Sequence, residues 1–275
     1  MIGIREADGL WHLETEGGAL SARALANLAG PWIDGVAALD TEPHARMVNT
    51  TRGAHLVMSL PERFRGHGIM TMSGLDHPFY CFPWRDRHFI GPTEVSSTED
   101  PDTVRPETSE KHELLANLDR QLPGLDFDLG ETPIGWAGLR PLTHEPSTMM
   151  AARMRIIHSL GRRTGPKFVA LTNGSIGAHA ITATDLANAI GLSSANRHTP
   201  PVLAHAPGQG DAHVRHLTDL LWRREGSIWD GDAGEAQVSQ AATALAQQLG
   251  WDEARRKAEI AAFRSEQAKM RYAVN

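Results

Sequence analysis

Closely spaced turn signals divide residues 53–94 into short apolar runs, each no longer than a strand. The runs read GAHLVMSL, GIMTMS, PFYCFPW and HFIGPTE, and the residues between them include Gly74, Asp76-His77-Pro78 and Arg85-Asp86. Glycine, proline and aspartate favour turns because they supply the backbone angles and local hydrogen bonds that turns require. The spacing therefore predicts a group of short strands rather than helices in this part of the chain.

Strand signals also occur on both sides of this region. A hairpin is predicted over residues 2–15, with Ala7-Asp8-Gly9 as its turn. The remaining predicted elements before the C-terminal region are a strand at 22–28, a short helix at 31–39, and strands at 131–142, 149–158 and 167–172, of which the last two form a hairpin.

Helical periodicity predicts an amphipathic helix over 109–122 and a second helix that follows NGSIGAHA and runs to about Ile190. Residues 192–211 are rich in proline, glycine, serine and histidine and are interpreted as a linker. The remainder is predicted to form helices at 212–224, 233–249 and 252–272, with Asp252 as an N-cap. The predicted domains are 1–195 and 212–275, and the linker that joins them is placed at 196–211, within the stretch 192–211.

Charge and cysteine usage exclude several classes of protein. The net charge of −6 provides no basic field for nucleic acid. The single cysteine, Cys81, cannot form an internal disulfide, which fits a reducing cytoplasm. Its apolar neighbours predict that it is a buried small residue.

No apolar run approaches the ~18 residues of a membrane span. His205, His213 and His216 cluster loosely without an HExxH motif or a cysteine pair, so no metal site is expected.

Arg140 lies among apolar neighbours in GWAGLRPL, residues 135–142. A buried guanidinium needs an anionic partner, because an unpaired charge is costly to remove from water. The partner is either a substrate phosphate or carboxylate, or an internal carboxylate such as Glu145 or Glu131. The sequence leaves both alternatives open.

Two further stretches carry residue types that suit chemistry. In FVALTNGSIGAHA, residues 168–180, a strand passes through Asn-Gly into a helix whose N–H groups suit an anion or an electron-rich ring, although an ordinary tight turn fits equally. Ser175 is not a nucleophile elbow, because the first glycine is adjacent to it. In TRGAHLVMSL, His55 is a candidate general base or a hydrogen-bonded core residue.

Several motifs occur in an order and spacing similar to those of one flavoprotein family. The chain resembles the FAD-dependent glycerol-3-phosphate dehydrogenases, which are relatives of the D-amino-acid-oxidase-type flavoenzymes. The matching motifs are LANLAGPW, TRGAHLV, FPWRDRHFIGPTE, EDPDTVRPETSE, WAGLRPL, LTNGSIGAHA, LLWRREG and LGWDEARRKAEIAAFR. The resemblance implies an α+β fold: an antiparallel-sheet substrate domain carrying the remnant of a Rossmann-like FAD lobe, followed by an all-helical C-terminal domain.

The resemblance also implies an activity and a set of site residues. The family oxidises glycerol 3-phosphate to dihydroxyacetone phosphate, with hydride transfer to FAD and then electron transfer to a quinone or to oxygen. By this likeness His55 is catalytic, and Arg140, Arg153 and Ser175 bind substrate, with Arg155 as an alternative register for Arg153. The residues implied to contact the cofactor are Gly30, Pro31, Trp32, Asn173 and Gly174.

The chain departs from the family pattern at several positions. Ser175 replaces a lysine, Ala180 replaces an arginine, and Pro92 and Glu94 replace a threonine and an aspartate. A serine carries no charge, so its grip on a phosphate dianion is expected to be weaker by more than about 1 kcal/mol. The changes at Ser175 and Ala180 favour an alternative in which the chain is an inactive binding module. A second alternative is oxidation of an amino or hydroxy acid, with Arg140 on a carboxylate.

The sequence contains no G-x-G-x-x-G motif, with which the family holds the FAD pyrophosphate. Gly30-Pro31-Trp32 would then close a lobe whose opening is absent, and tight FAD binding by this chain alone is not expected. A separate chain carrying the FAD lobe is one expected partner. Exposed strand edges would favour self-association, and the expected location is the cytoplasm, with at most peripheral contact with the inner membrane.

Overall fold

The computed structural model describes residues 1–73, 77–125, 134–145, 154–192 and 213–272. The chain forms two compact units. The first comprises residues 1–52, 95–104 and 139–199, and the second comprises 53–94, 105–138 and 200–275. The predicted linker at 196–211 lies outside the described residues, so the predicted domain boundaries stay a prediction.

The first unit begins with an antiparallel meander of three strands, β1 (Gly3–Ala7), β2 (Leu10–Thr15) and β3 (Gly18–Ala22). Asp8 and Gly9 form the first turn with φ angles of 53° and 71°. The predicted hairpin is therefore confirmed. β3 was not predicted, because its sequence GALSA is almost wholly exposed and shows no alternation of buried and exposed positions.

A second sheet in the first unit has the strand order β11-β12-β4. β11 (Ile156–Ser159) and β12 (Lys167–Thr172) are antiparallel, as predicted, whereas β12 and β4 (Ala24–Asn27) are parallel. A 3-10 turn follows each of the two parallel strands and leads into a helix. These helices are α1 (Ile33–Ala37) and α3 (His179–Ala189).

The largest sheet within the described residues has the order β10-β5-β8-β7-β6, with β9 also paired to β5. Its paired strands β5–β8, β8–β7 and β7–β6 are antiparallel, which confirms the predicted group of short strands. The strand bounds are β5 (Val48–Met58), β6 (Ile69–Ser73), β7 (His77–Trp84), β8 (Arg87–Gly91), β9 (Val95–Ser97) and β10 (Ile134–Thr143).

The core of the second unit contains two clusters of buried side chains. In one, Leu56, Phe79, Cys81 and Ile90 of the strands pack with Leu114 and Leu118 of α2 (Thr108–Gln121). In the other, Val57 and Ile134 pack with apolar residues of the C-terminal helices α4 (Glu235–Leu249) and α5 (Glu253–Lys269). These three helices and the Asp252 cap, whose carboxylate accepts the N–H of Arg255 at 2.7 Å, agree with the predictions.

The helix predicted at 212–224 is wrong at its start and in its type. The described part begins as an irregular segment, and residues Asp219–Arg224 form a π-helical turn that is followed by a 3-10 turn at Ser227–Trp229. Side-chain capping accounts for the late start, since the Asp219 carboxylate accepts the N–H groups of Arg215 and His216 at 3.0 Å. Glu259 of α5 likewise accepts the N–H of Leu217 at 3.0 Å.

The architecture is therefore α+β, with antiparallel sheets and C-terminal helices, as the sequence predicts. In the part of the chain that the structure describes, every helix is too short or too polar to cross a bilayer.

Candidate functional site

The parallel pair β4 and β12 brings two predicted cofactor-binding turns to the same edge of a sheet. Asn27 at the end of β4 lies opposite Ala170 of β12. Parallel strands present their carboxyl ends at one edge, and ligands of open α/β sheets bind there. We call this place the carboxyl edge and define it as residues 28–32 and 173–176. Gly30, Pro31, Trp32, Asn173, Gly174 and Ser175 all lie on it.

The turn after β12 has an unusual backbone. Asn173 and Gly174 have φ angles of 55° and 114°, which belong to the left-handed side of the backbone map. The N–H of Gly174 donates to Asn173 Oδ1 at 2.8 Å. Ser175 then caps the turn that leads into α3, because its Oγ accepts the N–H of Gly177 at 3.2 Å. The predicted passage from a strand through Asn-Gly into a helix is thus confirmed, whereas the choice between a ligand-binding turn and an ordinary tight turn stays a prediction, as does contact with a cofactor.

The turn after β4 is shaped by a buried amide. Asn27 donates through Nδ2 to the carbonyl of Ile33 at 2.9 Å and accepts the N–H of Ala29 on Oδ1 at 3.2 Å. Gly30 takes a φ of 58° in the same turn. The side chain of Asn27 therefore fixes the path of the chain between the strand and α1.

Large apolar side chains are exposed on the carboxyl edge. Leu28 is 56% exposed, Trp32 46% and Ile176 90%. Apolar side chains that cluster at the surface mark an interaction site more often than isolated ones do. Exposed apolar side chains therefore accompany both turns of the carboxyl edge.

A buried hydroxyl network fastens the end of β12 immediately before Asn173. Thr143 donates to the carbonyl of Met154 at 2.7 Å, and its Oγ1 lies 2.8 Å from that of Thr172. Because Thr143 has one hydroxyl proton, Thr172 donates to Thr143, and His158 Nε2 donates to Thr172 at 2.9 Å. Burial lowers the pKa of His158, and the charge of Asp34 opposes this shift.

Arg155 lies beside the turn at the carboxyl edge. Its guanidinium donates to Asp185 at 2.6 Å and to Thr182 Oγ1 at 2.8 Å, both on α3. A Cβ at Gly174 would lie 3.5 Å from Arg155 Cδ, so the arginine stem covers this glycine. Arg153, the predicted substrate-binding arginine, lies outside the described residues.

Arg140 is half-buried on β10, three residues before Thr143. This spacing corresponds to about 10 Å along a strand. Arg140 and the carboxyl edge both belong to the first unit. Its role stays a prediction, as does the choice between a substrate anion and an internal carboxylate, since Glu131 lies outside the described residues.

His55 belongs to the second unit and lies on β5. Its imidazole stacks on the indole of Trp136, with centroids 4.4 Å apart and planes 6° apart. A Cβ at Gly91 would lie 2.5 Å from His55 Cδ2, so glycine is needed at this position beside the ring. The ring plane is fixed by these two neighbours, which the sequence alone did not reveal.

Cys81 is buried in the second unit, as predicted from its apolar neighbours. Burial raises the pKa of its thiol to about 11, so the thiol is protonated at neutral pH. Among the described residues, no three histidine, cysteine, aspartate or glutamate side chains lie close enough together to hold a metal ion.

Comparison with known proteins gives consistent matches. A family model described as FAD dependent oxidoreductase matches residues 1–187. The aerobic glycerol-3-phosphate dehydrogenase of Bacillus subtilis is 23% identical over 124 residues, which cover 45% of this chain and 22% of that protein. The glycerol-3-phosphate dehydrogenase of Pseudomonas aeruginosa is 28% identical over 166 residues, which cover 56% of this chain and 31% of that protein.

The fold is shared with a solved structure, the FAD complex of glycerol-3-phosphate dehydrogenase from Bacillus halodurans. The TM-score is 0.74 at 16% identity, over 98% of this chain and 68% of that chain. The matches to the two curated relatives span less than a third of those proteins' length. At this identity the structural likeness establishes the fold alone.

Proposed function

Because the chain belongs to the FAD dependent oxidoreductase family, we propose that it contributes to the FAD-dependent oxidation of glycerol 3-phosphate to dihydroxyacetone phosphate. The observation that carries the proposal is the carboxyl edge, where two turns follow parallel strands and expose Trp32 and Ile176. The names of the matched curated proteins, which are glycerol-3-phosphate dehydrogenases, also support the proposal.

The residues of the carboxyl edge fit the ring portion of FAD. The left-handed turn at Asn173 and Gly174 presents backbone, and Leu28, Trp32 and Ile176 present apolar surface. When bound, FAD supplies the acceptor for the hydride that leaves the substrate carbon. Since residues 1–275 contain no G-x-G-x-x-G motif, the proposal places the pyrophosphate cradle outside them, in an adjoining segment or a separate chain.

Each candidate substrate residue has a distinct role in the proposal. Arg140 would bind the phosphate through two guanidinium hydrogen bonds in a bidentate contact, with Arg153 as a second cation. Ser175 would donate one hydrogen bond from its hydroxyl. His55 would accept the proton of the hydroxyl on the carbon that is oxidised, because a neutral imidazole can act as a base near neutral pH.

Binding and turnover test the proposal separately. The purified chain is mixed with FAD, with and without the pyrophosphate-binding segment of a relative, and the visible spectrum of the retained flavin is recorded. Dye reduction is then measured with glycerol 3-phosphate, glycerol, and a panel of amino and hydroxy acids. We expect glycerol 3-phosphate to be favoured over glycerol, and Arg140→Ala to remove this preference while exposed Arg163→Ala preserves it.

A second candidate function is favoured by two specific residues. Ser175 and Ala180 stand where the family pattern has cations, which supports a module that binds ligand without turnover. In that case glycerol 3-phosphate or FAD binds, measured by calorimetry, but no dye is reduced under any condition. Reduction by an amino or hydroxy acid alone would instead favour Arg140 as a carboxylate-binding residue.

The proposed setting is a reducing cytoplasm, which is supported by the lone buried cysteine. Contact with the inner membrane is proposed to be at most peripheral. Exposed Met70, Met72 and Phe82 on the β6–β7 hairpin support self-association of the isolated chain. Light scattering that gives a monodisperse monomer would contradict this last proposal.

A further inference from the structure

The peptide group before His55 is held by a buried threonine. The N–H of Ala54 donates to Thr93 Oγ1 at 2.8 Å, and the N–H of Thr93 donates to the carbonyl of Ala54 at 3.1 Å. Thr93 is 1% exposed and Ala54 is fully buried. Residue 54 is thus bonded to Thr93 through both of its main-chain polar groups.

The hydroxyl of Thr93 is oriented in turn by a buried carboxylate. It donates to Glu110 Oε1 at 2.7 Å, and Glu110 is only 2% exposed. Glu110 Oε2 accepts the N–H of Glu107 at 3.0 Å, which completes a capping box at the start of α2. The helix N-terminus stabilises this carboxylate, so Glu110 is a fixed acceptor that aims the Thr93 oxygen at Ala54.

The peptide group after His55 is contacted from the other end of the chain. Tyr272, which follows α5, donates through its hydroxyl to the carbonyl of His55 at 3.3 Å. The tyrosine ring fills the space that a Cβ at Gly135 would occupy. The N–H of Gly135 donates to the carbonyl of Met270 at 2.7 Å, which fastens the end of α5 to β10.

We propose that Glu110 and Tyr272 are positioning residues for His55, and that the C-terminal helical segment, residues 213–272, supports the candidate base through Tyr272. The main chain on both sides of His55 is fixed by Thr93 and Tyr272, and the ring plane is fixed by Trp136 and Gly91. The main chain and the ring plane of His55 are therefore fixed by contacts within the second unit. The catalytic role of His55 rests on the proposed function, whereas the contacts that position its side chain do not depend on it.

The experiment observes the imidazole directly and needs neither FAD nor substrate. The full chain is labelled with ¹⁵N-histidine, and His55→Gln identifies the ring signals of His55. Ring shifts and titration are then compared in Tyr272→Phe and in Tyr80→Phe, which alters the other of the two tyrosines in the sequence. Glu110→Gln is compared in the same way with Glu113→Gln on the exposed face of α2.

We expect Tyr272→Phe and Glu110→Gln to shift the His55 ring signals and its titration midpoint, whereas both control variants leave them as in wild type. Thr93→Val should make the Ala54 amide exchange roughly tenfold faster, because its acceptor is lost, and Thr93→Ser should restore wild-type exchange. If Thr93→Val fails to fold, Tyr272→Phe, which removes a single oxygen, decides the question.

The proposal is overturned if Tyr272→Phe and Glu110→Gln lower the melting temperature but leave the His55 signals and titration unchanged. Such a result would mean that both residues only stabilise the fold. A failure to bind FAD or to reduce dye would count against the proposed function without affecting this measurement.

Discussion

The hydroxyl oxygens of Thr143 and Thr172 lie 2.8 Å apart, and both side chains are 1% exposed. Their hydrogen bond joins the end of β10, which carries Arg140, to the end of β12, which leads into Asn173. The bond is part of a directed chain, in which His158 Nε2 donates to Thr172 and Thr143 donates to the carbonyl of Met154. The carboxyl edge is therefore anchored by a buried polar network rather than by apolar packing alone.

Replacing Thr172 with valine is expected to destabilise the fold by about 1–3 kcal/mol, because it leaves buried partners without their hydrogen bonds at nearly constant volume. Urea unfolding of the variant measures the loss. Thr243→Val, which removes an exposed hydroxyl on α4, is the matched control. Equal midpoints for the two variants would show that the network contributes nothing to stability.

His158 should lower the stability of the fold at acidic pH. Burial lowers its pKa in the folded state, so below the unfolded value of about 6.5 the unfolded chain binds the proton more readily. Stability is therefore expected to fall as the pH drops below about 6.5 and to be retained above it. Urea unfolding of His158→Gln across this range should show a smaller loss than wild type, while exposed His112→Gln should match wild type.

Gly174→Ala should distort the turn at the carboxyl edge. Its φ of 114° is a conformation that glycine adopts readily and alanine does not, and the expected cost is about 1–3 kcal/mol. Thermal unfolding, together with FAD retention where it is observed, measures the effect. Gly177→Ala lies three residues further on, where a Cβ would have ordinary contact with Ser175 at 3.6 Å, and should change stability little. A cost as large at Gly177 would contradict the interpretation.

Gly135→Ala should be strongly destabilising, because a Cβ at this position overlaps the ring of Tyr272. Overpacking of this kind costs about 1–3 kcal/mol, and more where the ring cannot move. Gly138→Ala on the same strand meets nothing within 4 Å and is the control. Melting temperatures of the two variants should differ clearly, and similar values would mean that the Tyr272 ring relocates without cost.

Local signals in the sequence predicted several elements well. Asp8-Gly9 identified the first hairpin turn, Asp252 identified the start of α5, and the strand at 167–172 matches β12 at both ends. Each signal concerns residues within a few positions of one another, where turn geometry and capping are decided by neighbouring side chains. The described elements that escaped prediction lack such signals, as in the exposed strand β3.

The start of the helix near residue 217 shows where local reasoning fails. Its apolar periodicity resembles a regular helix, yet Glu259 captures the N–H of Leu217 from 42 positions away. Asp219, which caps Arg215 and His216, lies within residues 212–224, but no pattern in that range reveals the contribution of Glu259. The same applies to Arg155, which the sequence marks only as a neighbour of Arg153, and which in the structure is ion-paired with Asp185 on α3.

For the candidate site, the sequence by itself determined the passage from a strand through Asn173-Gly174 into a helix and the placement of His55 on a strand. The tertiary structure decided that β4 lies parallel to β12, that Thr143 meets Thr172, and that Tyr272 reaches the carbonyl of His55 from 217 positions away. The physical reason is that turn and cap energies depend on adjacent residues. The partners of a strand end, in contrast, depend on strand order, which is set by burial of the whole core.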